Sequence, residues 1–277
     1  MRFSLIVMVV LVAAVPLMTV RVGAQSIGVS ERYAECMRRA RADPERGLEM
    51  ALSWRDGANP EQRNPEQRNN AAAHCEAVAL TGLGRFVAAA KRLEALAGSM
   101  KAPSKGGASM GAVAPKSVRA EILAQAGQAW SRADQIARAR AVQTAAVALD
   151  PNNAEIRIDR AMTRAADGAY WEAIDDLDVA ISLNRKGNRE TANAYALRAS
   201  AYRFLDVLSL AKQDADTALR LAPDNAEALL EMGIIMHMAG DEAAARKAWD
   251  RLVQAHDGSP AAEAAQRNLK KLDQGNR

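Results

Sequence analysis

Two cysteines, three histidines and a short run of methionines are the residues of this 277-residue chain with chemistry of their own to offer. Cys36 and Cys75 are the whole cysteine complement, and in an exported chain such a pair is expected to be a disulfide. The bridge would close a loop of about 40 residues, worth roughly 4 kcal/mol in the chain-entropy description. A competing metal site would add the adjacent His74, yet no second CxxC or ligand cluster completes a tetrahedron. Met232, Met236, His237 and Met238 are thioether and imidazole groups of the kind that hold Cu(I). Catalytic constellations are thin. His74, His237 and His256 lie in no HExxH, no serine sits in a GxSxG elbow, and Gly82-Leu83-Gly84 runs into Arg-Phe rather than a phosphate loop. Asp175, Asp176 and Asp178 point in different directions on a helix and read as its solvated side. No catalytic residue, cofactor or resident metal is therefore expected, and binding is the remaining mode of action.

The elements that carry these residues must be helices. Hydrophobic residues make up 49% of the chain and charged residues 25%, a globular balance, while aromatics are only 4% and alanine runs through nearly every block. Sandwiches and barrels need more β-branched and aromatic side chains than that. Apart from Pro16, the prolines at 44, 60, 65, 103, 115, 151, 223 and 260 all fall in breaks between amphipathic, Ala-rich stretches.

Residues 1–24 read as an export signal. Arg2 precedes an apolar run from Leu5 to Val15, and Val22-Gly23-Ala24 puts small or modest side chains before a cut between Ala24 and Gln25. Phe3 to Val20 is also close to the lower limit for a retained membrane anchor, which Pro16, Thr19 and Arg21 weaken. With the segment removed, no membrane insertion is expected and the net charge falls from +4 to +2, which gives no reason to expect nucleic acid as a partner. Charge is unevenly spread: residues 25–119 carry 15 basic and 10 acidic groups, and residues from 120 onward carry 20 and 23.

A period organises the rest. Counting from Ala120, Leu123, Gly127, Trp130, Ala139, Ala146 and Pro151 stand at positions 4, 8, 11, 20, 27 and 32. The same register returns from Ala154 (Ala161, Gly168, Tyr170, Ala173, Leu177), from Ala192 (Tyr195, Ala199, Tyr202, Ala211, Ala218, Pro223) and from Ala226 (Leu229, Gly233, Met236, Gly240, Ala245, Trp249). Upstream, Asn70 opens a unit with Ala77, Gly84, Phe86, Ala89 and Leu93. This register resembles the tetratricopeptide repeat, a helix pair with a period of 34. Small residues at 8 and 20 let the two helices approach, and large ones at 4, 11, 17 and 24 fill the gap. Departures from the family pattern are Gln143 at a bulky apolar position, Asp134 and Asp206 in place of the turn glycine, and Arg185 in place of the closing proline.

The resemblance implies an all-α solenoid of about six hairpins. An N-terminal pair over 25–99 includes a degenerate unit near Val29, with helices over Tyr33–Arg41 and Pro44–Asp56. A cationic linker over 100–117 follows, then an array over 118–277 closed by a polar capping helix at 260–272. The tandem NPEQR copies of 59–68 read as a surface-loop duplication, and 184–189 as a loop. Met232 and Met236 fall at positions 7 and 11, facing the partner helix, which suits core filling better than copper.

In the family, positions 2, 5, 9, 12 and 13 of each first helix line a concave groove. They fall here on Gln128, Arg132, Ile158, Met162, Ser200, Arg203, Phe204, Ile234 and His237, with His74, Ser131, Asn193, Leu230 and Met238 beside them. A protein or peptide segment is the implied partner, in a bacterial-type periplasm, with a specific scaffold, a holdase for exported chains and a copper-binding or hydrolytic protein as the readings to separate. Thiol labelling of the native protein is expected to find no free cysteine until reductant is added; two reactive thiols without it would exclude the bridge.

Overall fold

The computed structural model describes residues 31–56, 65–100, 115–184, 187 and 189–275. Residues 1–24, read above as an export signal, with the expected Ala24–Gln25 junction, the first NPEQR copy, residues 101–114 of the expected linker and Arg185 lie outside these. Among the described residues there are thirteen helices and no strand. They are α1 (Glu31–Ala42), α2 (Pro44–Asp56), α3 (Pro65–Gly82), α4 (Phe86–Ser99), α5 (Lys116–Arg132), α6 (Ile136–Leu149) and α7 (Ala154–Ala166). After these come α8 (Tyr170–Leu183), α9 (Arg189–Phe204), α10 (Leu208–Leu221), α11 (Ala226–Met238), α12 (Glu242–Ala255) and α13 (Pro260–Gly275). No described helix is long and apolar enough to cross a membrane.

The chain forms two compact units that meet in sequence inside α7, one ending at Thr163 and the other beginning at Arg164. In the first, Leu93, Leu96, Ala97 and Met100 of the α4 end share one core with Val118, Ile122 and Ala126 of α5, so the helices on either side of 101–114 pack together. In the second, α9 packs on α10 and α11, and the capping helix α13 closes the end by burying Ala265 and Leu272 against Leu229, Trp249 and Leu252.

Within each hairpin the small residues do what close packing requires. Ala77, Ala161 and Ala199 at position 8 and Ala89, Ala139, Ala173, Ala211 and Ala245 at position 20 are all buried. Where position 8 is glycine, the partner side chain at position 24 occupies the space a Cβ would take: Gln143 against Gly127, and the Trp249 indole against Gly233. Gln143 is accordingly buried despite its polarity. Its Nε2 donates to Thr163 Oγ1 at 2.9 Å and to the Asp159 carbonyl at 3.3 Å, which ties α6 to α7.

In the five in-register units the turn between first and second helix closes alike. Position 15 has positive φ in all five units: Gly84 (70°), Asp134 (57°), Gly168 (76°), Asp206 (60°) and Gly240 (83°). The next N–H donates at 2.9 Å to the carbonyl of position 11, from Arg85, Gln135, Ala169, Val207 and Asp241, the bond of a Schellman closure. The two aspartates keep the turn because Asp is among the few side chains that visit the left-handed region.

Two sequence expectations change. α3 begins at Pro65 rather than near Asn70, so the second NPEQR copy is largely its first turn, with proline at N1 and Glu66 behind it. Asp176 is not solvated: it is 2% exposed and accepts from Arg164 Nη1 at 2.7 Å, whereas Asp175 and Asp178 are exposed. Asp206→Gly is expected to stabilise the protein by about 0.5–1 kcal/mol and Asp206→Val to cost about 1–2 kcal/mol, read as shifts in thermal midpoint.

Candidate peptide-binding face

The first helices of the repeats also touch one another, and one position governs how. Position 6 falls on Cys75, Gln125, Asp159 and Glu231 in four of the five units. Each reaches back to the preceding first helix. Cys75 of α3 forms a disulfide with Cys36 of α1, with Cα atoms 6.1 Å apart and both residues fully buried. Gln125 of α5 meets His74 of α3, its Oε1 lying 3.0 Å from Nε2. Asp159 Oδ2 of α7 accepts from Gln128 Nε2 of α5 at 2.7 Å. Glu231 of α11 takes the Arg203 guanidinium of α9 in two bonds, at 2.6 and 3.1 Å.

These rungs use the side chains that the sequence assigned to the binding face. His74 is 2% exposed, held between Gln125 and the Tyr33 hydroxyl, which is 2.7 Å from Nδ1. With Gln125 Oε1 as acceptor at Nε2, the ring is neutral and takes its second bond from tyrosine; burial lowers its pKa to about 4. Gln128 is half-buried on Asp159. Arg203 is mostly buried on Glu231, and its Nη2 also donates to Ser200 Oγ at 3.3 Å. Ile158, at 8% exposed, presents no surface. Arg132 is half-buried, with its guanidinium 5.9 Å from the Phe86 ring centre, and Met162 is half-buried. Ile234 and Leu230 are half-buried against the core that α13 closes, while His237 and Met238 are exposed at the end of α11. Phe204 is exposed but stacked on Tyr170, ring centres 4.8 Å apart. Met232 is buried and Met236 half-buried, both within the apolar packing between α9 and α12.

No protein-family model matches the sequence. The human protein O-mannosyl-transferase TMTC1 is 24% identical over 189 residues, which are 56% of this chain and 21% of that protein, so the match spans about a fifth of its length. Among solved structures, BtubC from P. vanneervenii superposes with a TM-score of 0.59 at 15% identity, covering 79% of this chain and 90% of its own. MamA from Desulfovibrio magneticus RS-1, from residue 41 to its end, gives 0.54 at 17% identity, covering 68% and 97%. The fold is a tetratricopeptide-repeat solenoid. Its five in-register units, the degenerate hairpin α1–α2 and the cap α13 account for all thirteen described helices.

The family register marks His74, Gln128 and Arg203 as face positions but not their partners Gln125, Asp159 and Glu231, although position 6 is reactive or polar in four units and so legible in register. It also misses the pairing of Arg198 with Asp214 at 2.7 and 2.8 Å, which parallels Arg164 with Asp176 and joins first to second helix.

Buried carboxyls give the N-terminal unit a pH signature. Burial pushes Asp159 up to about 7, opposed by the Gln128 bond and aided by Glu155; Glu121 rises to about 7 by burial, with Glu155 and Asp150 adding to it. In the unfolded chain both ionise near pH 4, so stability falls as pH rises from about 4 through 7. His74 acts oppositely, withdrawing stability as pH falls from about 6.5 through 4. Asp159→Asn keeps an acceptor for Gln128 and is expected to gain stability over the wild type at pH 8 and little at pH 4, in denaturant melts at each pH; equal gains at both would refute a titrating Asp159.

Proposed function

We propose that the protein is an exported, non-enzymatic scaffold that holds a segment of another envelope protein on the first-helix face of its C-terminal unit. The observation that carries this reading is the state of that face. Arg203, Ser200 and Glu231 form a rigid polar floor whose groups already bond one another, and His237 and Met238 stand exposed at the end of α11. A floor with satisfied charges does not demand a carboxylate ligand, and the exposed His237 and Met238 beyond it are the groups left to contact a side chain laid across it. The buried Cys36–Cys75 bridge suggests an oxidising compartment, and together with the apolar run of 1–24 it supports a periplasmic setting.

A specific scaffold fits better than a general holdase. Leu230 and Ile234, two apolar residues of this face, are half-covered by the packing around α13, so little contiguous apolar surface is left for unfolded chains. The copper reading loses support because Met232 and Met236 serve the apolar packing of the C-terminal unit.

Arg203 anchors Glu231, so reversing its charge would break a structural contact as well as a binding one; His237 and Met238 are the residues to alter. A photocrosslinking side chain at position 238 in the native envelope is expected to trap a discrete partner that the same group at Glu263 on the cap does not. His237→Glu with Met238→Glu should reduce binding of that partner by at least about tenfold. Identical adducts from both positions would reject this face.

A further inference from the structure

Trp171 is the residue that neither the repeat nor the proposed binding face accounts for. The other three tryptophans, Trp54, Trp130 and Trp249, are buried, and each has a cation or ring against it; Trp171 is 59% exposed and, among the described residues, has neither. The fold does not require an indole there. It stands at position 18, where the other four units carry Val87, Ala137, Ser209 and Ala243. Next to it in sequence, Tyr170 stacks on Phe204, with an 8° angle between ring planes, and the Arg203 guanidinium lies 4.2 Å from the Phe204 centroid. Phe204 is thereby fixed in place with 46% of its surface still open. Two exposed aromatic residues of the C-terminal unit, Trp171 and the immobilised Phe204, are thus linked through Tyr170; we call the pair a ledge.

The charges beside the ledge select its occupant. Glu172 and Asp175 on α8 and Asp206 in the α9–α10 turn are exposed, and among the described residues their carboxylates have no ion pair. The basic groups of the same region are already committed: Arg164 to Asp176 and to the Glu172 backbone carbonyl, Arg198 to Asp178 and Asp214, and Arg203 to Glu231. An exposed indole whose own helix carries two exposed, unpaired carboxylates one and four residues on favours a cation, which gains from the ring quadrupole and from the negative potential together, while an acidic or purely apolar segment gains from only one or neither.

We infer that the Trp171–Phe204 ledge docks a basic amphipathic segment of a partner protein, one that presents arginine or lysine to the Trp171 indole and an apolar side chain to the open edge of Phe204. This site is separate from the His237–Met238 surface and stands without it.

Trp171, as the exposed tryptophan, reports directly on its own occupancy. Titrating the full chain with a tryptophan-free peptide of alternating leucine and arginine should give a saturable change in its emission that weakens steeply with added salt. By calorimetry, Trp171→Ser and Glu172→Lys with Asp175→Lys should each weaken binding by at least roughly tenfold, with thermal midpoints near the wild type because all three positions are exposed. His237→Glu with Met238→Glu should leave the affinity unchanged. Three results would overturn the inference: full affinity in Trp171→Ser, equal binding of the same peptide with glutamate for arginine, or an emission change on concentrating the protein alone, which would assign the ledge to a second copy of the chain.

Discussion

The reach of one side chain from a first helix to the first helix before it, made in four of the five in-register units, is the contact on which the first-helix face depends. Position 6 supplies it as a covalent bond at Cys75, as neutral hydrogen bonds at Gln125, as a carboxyl–amide bond at Asp159 and as a two-bonded ion pair at Glu231. The chemistry differs from rung to rung while the position in the repeat stays the same, because in these four units position 6 is the place on a first helix that meets the first helix before it. A position with fixed geometry and free chemistry tolerates any pair that satisfies its polar atoms. What it does not tolerate is a lone buried partner, which is why His74 is bonded at both ring nitrogens.

Close helix approach sets the conditions for these rungs. Alanine at positions 8 and 20 brings the two helices of a hairpin together, and where glycine takes position 8 the gap is filled from position 24 by Gln143 or Trp249. Dense packing of small residues leaves little apolar area per contact, and polar ties make up part of the difference. Arg198 is the clearest case: it joins α9 to Asp214 on α10 and Asp178 on α8, with Tyr195 and Tyr202 near its guanidinium. Such a partly buried group, with its carboxylates matched, contributes more to specifying one arrangement of helices than an exposed pair does.

Much of this was legible in the residues, and the misses have definite causes. The turn register survived aspartate at 134 and 206 because the backbone conformation, rather than glycine itself, is what the closure needs. The start of α3 was hidden because a polar duplicated pentapeptide looks like a loop, and only the helix that follows turns Pro65 into a first-turn residue. Asp176 reads as surface because its neighbours Asp175 and Asp178 are exposed; its partner Arg164 lies twelve residues away on another helix.

By itself the sequence determined the helical class, the repeat register, the hairpin turns and the polar cap, since each follows from spacing within a single unit: helical periodicity, small residues where helices cross, a left-handed residue where they turn. Tertiary structure decided which of the face residues are free. Gln128 is committed to Asp159, 31 residues away, Arg203 to Glu231, 28 away, and Ile158 is buried, whereas His237 and Met238 stay exposed. A local pattern specifies which way a side chain leaves its helix; whether another helix is there to meet it is settled only when the repeats have packed.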